Sequence, residues 1–128
     1  MHDLVYDTRF FVEYFYSADA EFLQRAKEFI IRNKGGYVSA LTLHEIFLVS
    51  LKKEGRETAR IRLQGVLDRF RVVDVNTNIS VSAAELRQKQ QISMADGIIA
   101  ATCLALNASC VTYDSHFTEM KQIRTLWV

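Results

Sequence analysis

The 128-residue sequence has no proline, two cysteines, three histidines, five glycines and one tryptophan. Without proline, element boundaries must be read from Gly, Asn, Ser and changes of hydrophobic period. Cys103 and Cys110 lack the paired spacing of a zinc site and fall in apolar surroundings, so both read as reduced core residues. The glycines form no G-x-G-x-x-G and no P-loop, and no G-x-S-x-G occurs, which removes dinucleotide, P-loop and serine-hydrolase chemistries. "HEIFL" lacks the second histidine of a zinc protease, and His2, His44 and His116 are too scattered to form a ligand set. His116, two residues after Asp114, is within reach of any site there, but reads first as a loop histidine without a chemical role. No apolar run is long enough to span a membrane. The start, "MHDLVYD", has neither the basic opening nor the apolar stretch of a signal peptide, so a cytoplasmic protein is expected.

What is present is ordinary in amount and informative in placement. Hydrophobic residues make up 49% and charged residues 24%, values typical of a globular protein. A chain of this length forms one domain, residues 1–128, large enough to bury a core without disulfides or a structural metal. The net charge of +1 gives no global argument for nucleic-acid binding. Its distribution is uneven. The first 24 residues hold Asp3, Asp7, Glu13, Asp19 and Glu21 against Arg9 alone. From Lys52 to Arg71 the chain holds seven basic residues against Glu54, Glu57 and Asp68. Such a stretch is first of all a solvated helix face, and beside an acidic site it would also hold a phosphate backbone.

The periodicity alternates between short strands and helices. "DLVYD", "YVSA", "RVVDV" and "SCVTYD" read as strands, with a last short one near "IRTLWV". Between them lie "TRFFVEYFYS", opened by Thr8, and "DAEFLQRAKEFIIRNKGG", stopped at Gly35 and Gly36. "TLHEIFLVSLKKEG" and "RETARIRLQGVLDRF" follow, joined near Gly55, then the polar "NISVSAAELRQKQQ" and the apolar helix within "ISMADGIIAATCLALNA". This alternation predicts an α/β fold with a mainly parallel central sheet.

In such folds ligands sit at the carboxyl ends of the strands. Asp7 ends the first predicted strand and Asp114 the fourth; Glu45 in "TLHE" and Asp96 in "SMAD" begin helices. All four acids therefore project from one rim of the sheet. Each alone also has a structural explanation. Ser or Thr followed three residues later by an acid is a capping box, Asp7 can start a helix, and Asp114 can make an Asx-turn. Together they repel one another unless a cation shares their charge. Asp96 is the only charged residue between Lys89 and Asp114, so its tolerance in an apolar helix is the question the sequence poses. Oxygen ligands of this kind suit Mg²⁺ or Mn²⁺. Asp3, Asp19, Asp68, Asp74 and Glu85 read as turn or solvent-facing residues.

"LVYDTRFFVEYF", "VSALTLHEI" and "SMADGIIAATCLALNASCVTYDSHF" together resemble the PIN-domain ribonucleases, most of all the VapC toxins of toxin–antitoxin pairs. The resemblance spans nearly the whole chain and implies a three-layer α/β/α sandwich with a mainly parallel sheet of four to five short strands. It also implies that Asp7, Glu45, Asp96 and Asp114 are the catalytic acids. Asp7, Asp96 and Asp114 would ligate Mg²⁺ or Mn²⁺, and Thr8 and Thr112 would support them. The implied reaction is hydrolysis of RNA to leave a 5′-phosphate and a 3′-hydroxyl, with water activated by the metal. The implied partners are an RNA substrate, a second copy of the chain in a homodimer, and an antitoxin protein. The sequence departs from many relatives at Tyr113 and at Ser115, and lacks a further acid there.

Other readings stay open at this level. A receiver-like Mg²⁺-binding module would need paired acids after its first strand, where Thr8 and Arg9 stand, and "VVDVNTN" places its Asp inside a strand. A haloacid-dehalogenase-type phosphatase would need an acid at Arg9. A housekeeping RNA-processing PIN nuclease and a catalytically degenerate PIN module share the fold. The aromatic segment "FFVEYFY" reads as a partner surface or as part of a thick core.

Overall fold

The computed structural model describes residues 3–128, and His2 lies outside them. Five short strands, β1 (Leu4–Tyr6), β2 (Tyr37–Ser39), β3 (Arg71–Val73), β4 (Ser109–Val111) and β5 (Thr125–Leu126), form one sheet in the order β3-β2-β1-β4-β5. All four pairings are parallel. The helices are α1 (Thr8–Tyr16), α2 (Ala20–Arg32), α3 (Ala40–Glu54), α4 (Arg56–Arg69), α5 (Thr77–Lys89), α6 (Met94–Leu106) and the short α7 (Ser115–Thr118). Among the described residues no helix is long and apolar enough to cross a membrane.

Strand alternation divides the core into two clusters, one on each side of the sheet. Val5 and Cys110 join α5, α6 and α7 residues such as Ile79, Leu86, Ile99 and Phe117. Leu4, Tyr6, Val38 and Val111 join Phe10, Phe11, Phe22, Phe29, Ile46 and Val66 from α1 to α4. This is the three-layer α/β/α sandwich that the resemblance implies. Cys103 and Cys110 are free and buried.

The aromatic segment belongs mainly to the core. Phe10 and Phe11 are fully buried, and Tyr14 and Phe15 are half-buried against the same cluster. At the centre, Tyr6 meets Phe10 and Phe70 edge-on at 4.8 and 4.9 Å between ring centroids. A Cβ at Gly36 would come within 2.6 Å of Tyr6 Cε1, so only glycine fits where β2 begins.

α1 opens at Thr8 as expected, and Asp7 caps it: its carboxylate accepts from the Phe10 N–H at 2.8 Å. Three local expectations are corrected. The cap of α3 is Ser39, so Glu45 sits in the helix's second turn and Thr42 is buried, which removes the capping explanation for Glu45. β4 ends at Val111, and Asp114 follows it as the cap of α7, an element the periodicity missed because it is one turn long. Asp74 follows β3 and does not lie inside it. The receiver-like reading still fails, because β3 is an edge strand, two places from β1. Such modules place their third strand next to the first.

The basic stretch is only partly free. Arg62 makes a two-point contact with Glu54 at 2.9 and 3.1 Å. Arg71 begins β3 and lies over Tyr37, the first residue of β2, at the end of the sheet opposite the carboxylates.

Candidate metal centre

β1 runs straight into α1 through Asp7, whose backbone N–H reaches the Val111 carbonyl at the end of β4. The two central strands thus deliver Asp7 and Asp114 to one rim. α6 starts at the same rim: Ser93 caps it by accepting from the Asp96 N–H at 3.1 Å. The helix N-terminus favours the Asp96 charge, and this is half of the predicted capping box. α3 brings Glu45 in from its second turn. Asp7, Glu45, Asp96 and Asp114 line a single cleft of about 410 Å³, together with Thr8 and Arg9.

The acids differ in environment. Asp7 is 2% exposed. Burial, and secondarily the charge of Asp114, push its pKa up to about 6, against hydrogen bonds from Thr112 and the Phe10 N–H and the charge of Arg9. Burial and Asp114 also raise Asp96, with a smaller push from Glu45, while His116 and Ser93 oppose them. The charge of Asp114 thus bears on both Asp7 and Asp96.

Hydroxyls hold the carboxylates in place. Thr8 Oγ1 donates to Glu45 Oε1 at 2.5 Å and lies 3.2 Å from Thr42 Oγ1. Thr112 Oγ1 accepts from the Asp114 N–H at 3.0 Å, and its hydroxyl opposes the rise in the Asp7 pKa.

Two residues near the site were given no role from the sequence. His116 Nδ1 lies 3.0 Å from Asp114 Oδ1 and 3.5 Å from Asp96 Oδ2. Ligand atoms of Asp96, Asp114 and His116 fall within 4.8 Å of one another, a spacing that suits one ion. The spacing D-x-H was legible, but its meaning required the α7 turn that folds His116 back. Arg9 Nη2 lies 3.8 Å from Asp114 Oδ2, a counter-charge that strand-and-helix periodicity does not reveal. The donors fit a divalent cation: several carboxylate oxygens, one imidazole nitrogen, and a buried acid whose charge needs compensation.

The PIN domain family matches residues 4–123. The chain belongs to the PIN-domain family. PIN domains are nucleases, and the match covers every strand but β5. No curated protein sequence is found as a relative. Among solved structures this PIN domain resembles VapBC2 from Rickettsia felis, bound to a DNA fragment from its promoter, with TM-score 0.80, 20% identity and 98% of each chain covered. DNA-bound VapBC from Salmonella typhimurium gives TM-score 0.79 and 19% identity, covering 99% of this chain and 98% of that one. Mycobacterium tuberculosis VapC20, a sarcin–ricin loop-cleaving toxin, gives 0.76 and 18%, covering 95% and 99%. At these identities the likeness concerns the fold.

Proposed function

We propose that this PIN domain is a metal-dependent endoribonuclease, the toxin of a toxin–antitoxin pair, acting in the cytoplasm. The observation that carries the reading is the convergence of Asp7, Glu45, Asp96 and Asp114 on one cleft at the carboxyl ends of parallel strands. Asp7, Asp96 and Asp114 would hold Mg²⁺, or Mn²⁺ in its place, and His116 offers a nitrogen beside the last two. When bound, the ion supplies positive charge to the phosphate and lowers the pKa of water toward neutrality.

The chain's own groups do the positioning. The Phe10 N–H fixes Asp7, so its carboxylate does not need to reorganise when charge develops nearby. Glu45, held by Thr8 through Oε1, keeps Oε2 to orient the attacking water. Arg9, exposed over half of its side chain, supplies a counter-charge to the RNA backbone. Water adds at phosphorus in line with the departing 3′ oxygen, leaving a 5′-phosphate and a 3′-hydroxyl. The RNA substrate and the antitoxin partner are carried over from the relatives: one is a sarcin–ricin loop-cleaving toxin and two are VapBC assemblies. A homodimer is the assembly proposed for it.

The test is calorimetric Mn²⁺ titration of wild type, Asp96→Asn and Asp114→Asn, after circular dichroism shows that all three fold. Wild type is expected to bind, both variants to bind far more weakly, and only wild type to cut RNA to 5′-phosphate ends. Equal binding by all three would leave Asp96 as a helix cap and end the nuclease reading.

A further inference from the structure

Beside the carboxylates lies a flat, exposed pair of side chains that the cleavage chemistry does not use as a unit. Tyr113 immediately precedes Asp114 and is 45% exposed. The Arg9 guanidinium sits over its ring, 5.5 Å from the centroid, while reaching Asp114 on the other side. The ring is also braced from behind. Its hydroxyl donates to Glu13 at 3.0 Å, and Trp127 meets it edge-on at 4.7 Å. Trp127 in turn stacks on the buried Phe22, with ring planes 7° apart. The ring's neighbours on the site side, Arg9 and Asp114, are charged, not apolar. Unpaired RNA bases are recognised by stacking on aromatic rings and on arginine planes.

We propose that Arg9 and Tyr113 form a stacking platform for an unpaired RNA base next to the scissile phosphate. The inference rests on the nuclease reading and deepens it: the substrate is single-stranded at the cut, and a base, not the backbone alone, is gripped there. Bracing through Trp127 and Glu13 presents the ring pre-organised, so little side-chain freedom is lost on binding.

The sequence supplies its own reporter, since Trp127 is the single tryptophan and touches Tyr113. Binding is measured with Ca²⁺ in place of Mg²⁺, using a random-sequence single-stranded RNA pool and an abasic ribose-phosphate chain of equal length. Wild type is expected to prefer RNA over the abasic chain, with Trp127 emission changing only for RNA. Tyr113→Leu should lose that preference and bind RNA about five- to hundredfold more weakly, the loss expected for one base–aromatic stack. Tyr113→Phe, which keeps the ring, should retain both. Arg9→Gln should weaken binding to both chains and narrow the preference, a second readout if Tyr113→Leu folds poorly. Equal binding of RNA and abasic chain by wild type, or an unchanged preference in Tyr113→Leu, overturns the platform. Cleavage of the same pool by wild type with Mn²⁺ is run beside it. No cleavage there overturns the nuclease reading, whereas cleavage without dependence on the ring overturns the platform alone.

Discussion

The two faces of the sheet are built on different principles. On the α1–α4 side, aromatic rings interlock: Tyr6, Phe10, Phe11, Phe29 and Phe70 form a chain of tilted and edge-on contacts. On the α5–α6 side, small residues let backbones approach. Ala100 and Ala101 are buried in α6, and a Cβ at Gly97 would meet Arg87 at 2.9 Å and the Ala83 carbonyl at 3.3 Å. The site draws acids from both sides, Asp7 and Glu45 from the first and Asp96 from the second. Asp7 is clamped into the aromatic face by the turn into Phe10, and Asp96 sits one residue before Gly97, where α6 lies close against α5. Large rings fix an angle by filling volume, whereas small residues fix a distance by leaving none.

That contrast can be broken from either side. Phe10→Ala removes a fully buried ring and should cost about 3–5 kcal/mol in denaturant unfolding. Ala100→Leu should cost about 1–3 kcal/mol by overpacking instead. If Phe10→Ala were near neutral, the aromatic face would not be what holds Asp7.

The buried acid itself gives the next effect. The carboxyl of Asp7 has a pKa of about 6 in the fold against 3.8 in the unfolded chain, so folding opposes its charge. Below 3.8 both states are protonated and the penalty is absent. Between 3.8 and about 6 the unfolded chain ionises first and stability falls as pH rises. Above about 6 the penalty is complete, about 2–3 kcal/mol. Asp7→Asn, whose side-chain oxygen still accepts from the Phe10 N–H, should therefore unfold at higher denaturant at pH 7. It should flatten the pH dependence in that window and abolish RNA cleavage. A destabilised Asp7→Asn would mean that the carboxylate is structural.

The smallest effect sharpens the aromatic face. The Tyr6 hydroxyl is buried without a hydrogen-bond partner. Tyr6→Phe should stabilise the metal-free protein by about 1 kcal/mol in chemical denaturation, because an unpaired buried hydroxyl is removed while the ring contacts stay.

Much of this was readable in advance, for reasons that differ by residue. Asp96 was legible because one charge in a long apolar segment stands out, and the Ser93 cap lies three residues before it. Asp7 was legible because it closes an apolar strand. Glu45 was placed at the right rim for an incorrect local reason: Ser39, not Thr42, starts α3. A helix start shifted by three residues leaves the same face of the helix nearly in register, so the rim assignment survived. His116 and Arg9 were given no role because a single turn such as α7 carries no periodic signal, and an arginine in a helix's first turn ordinarily faces solvent.

Period, caps and the alternation of strand with helix determined an α/β chain whose acids gather at the carboxyl ends of its strands. Those features are local, set by side-chain spacing against a backbone of fixed geometry. Only the tertiary structure decided strand order, the burial of Asp7, the turn that brings His116 to Asp96, and the placing of Arg9 over Tyr113. Each of these depends on contacts between segments distant in sequence, and no local period encodes which partner a side chain meets across the fold.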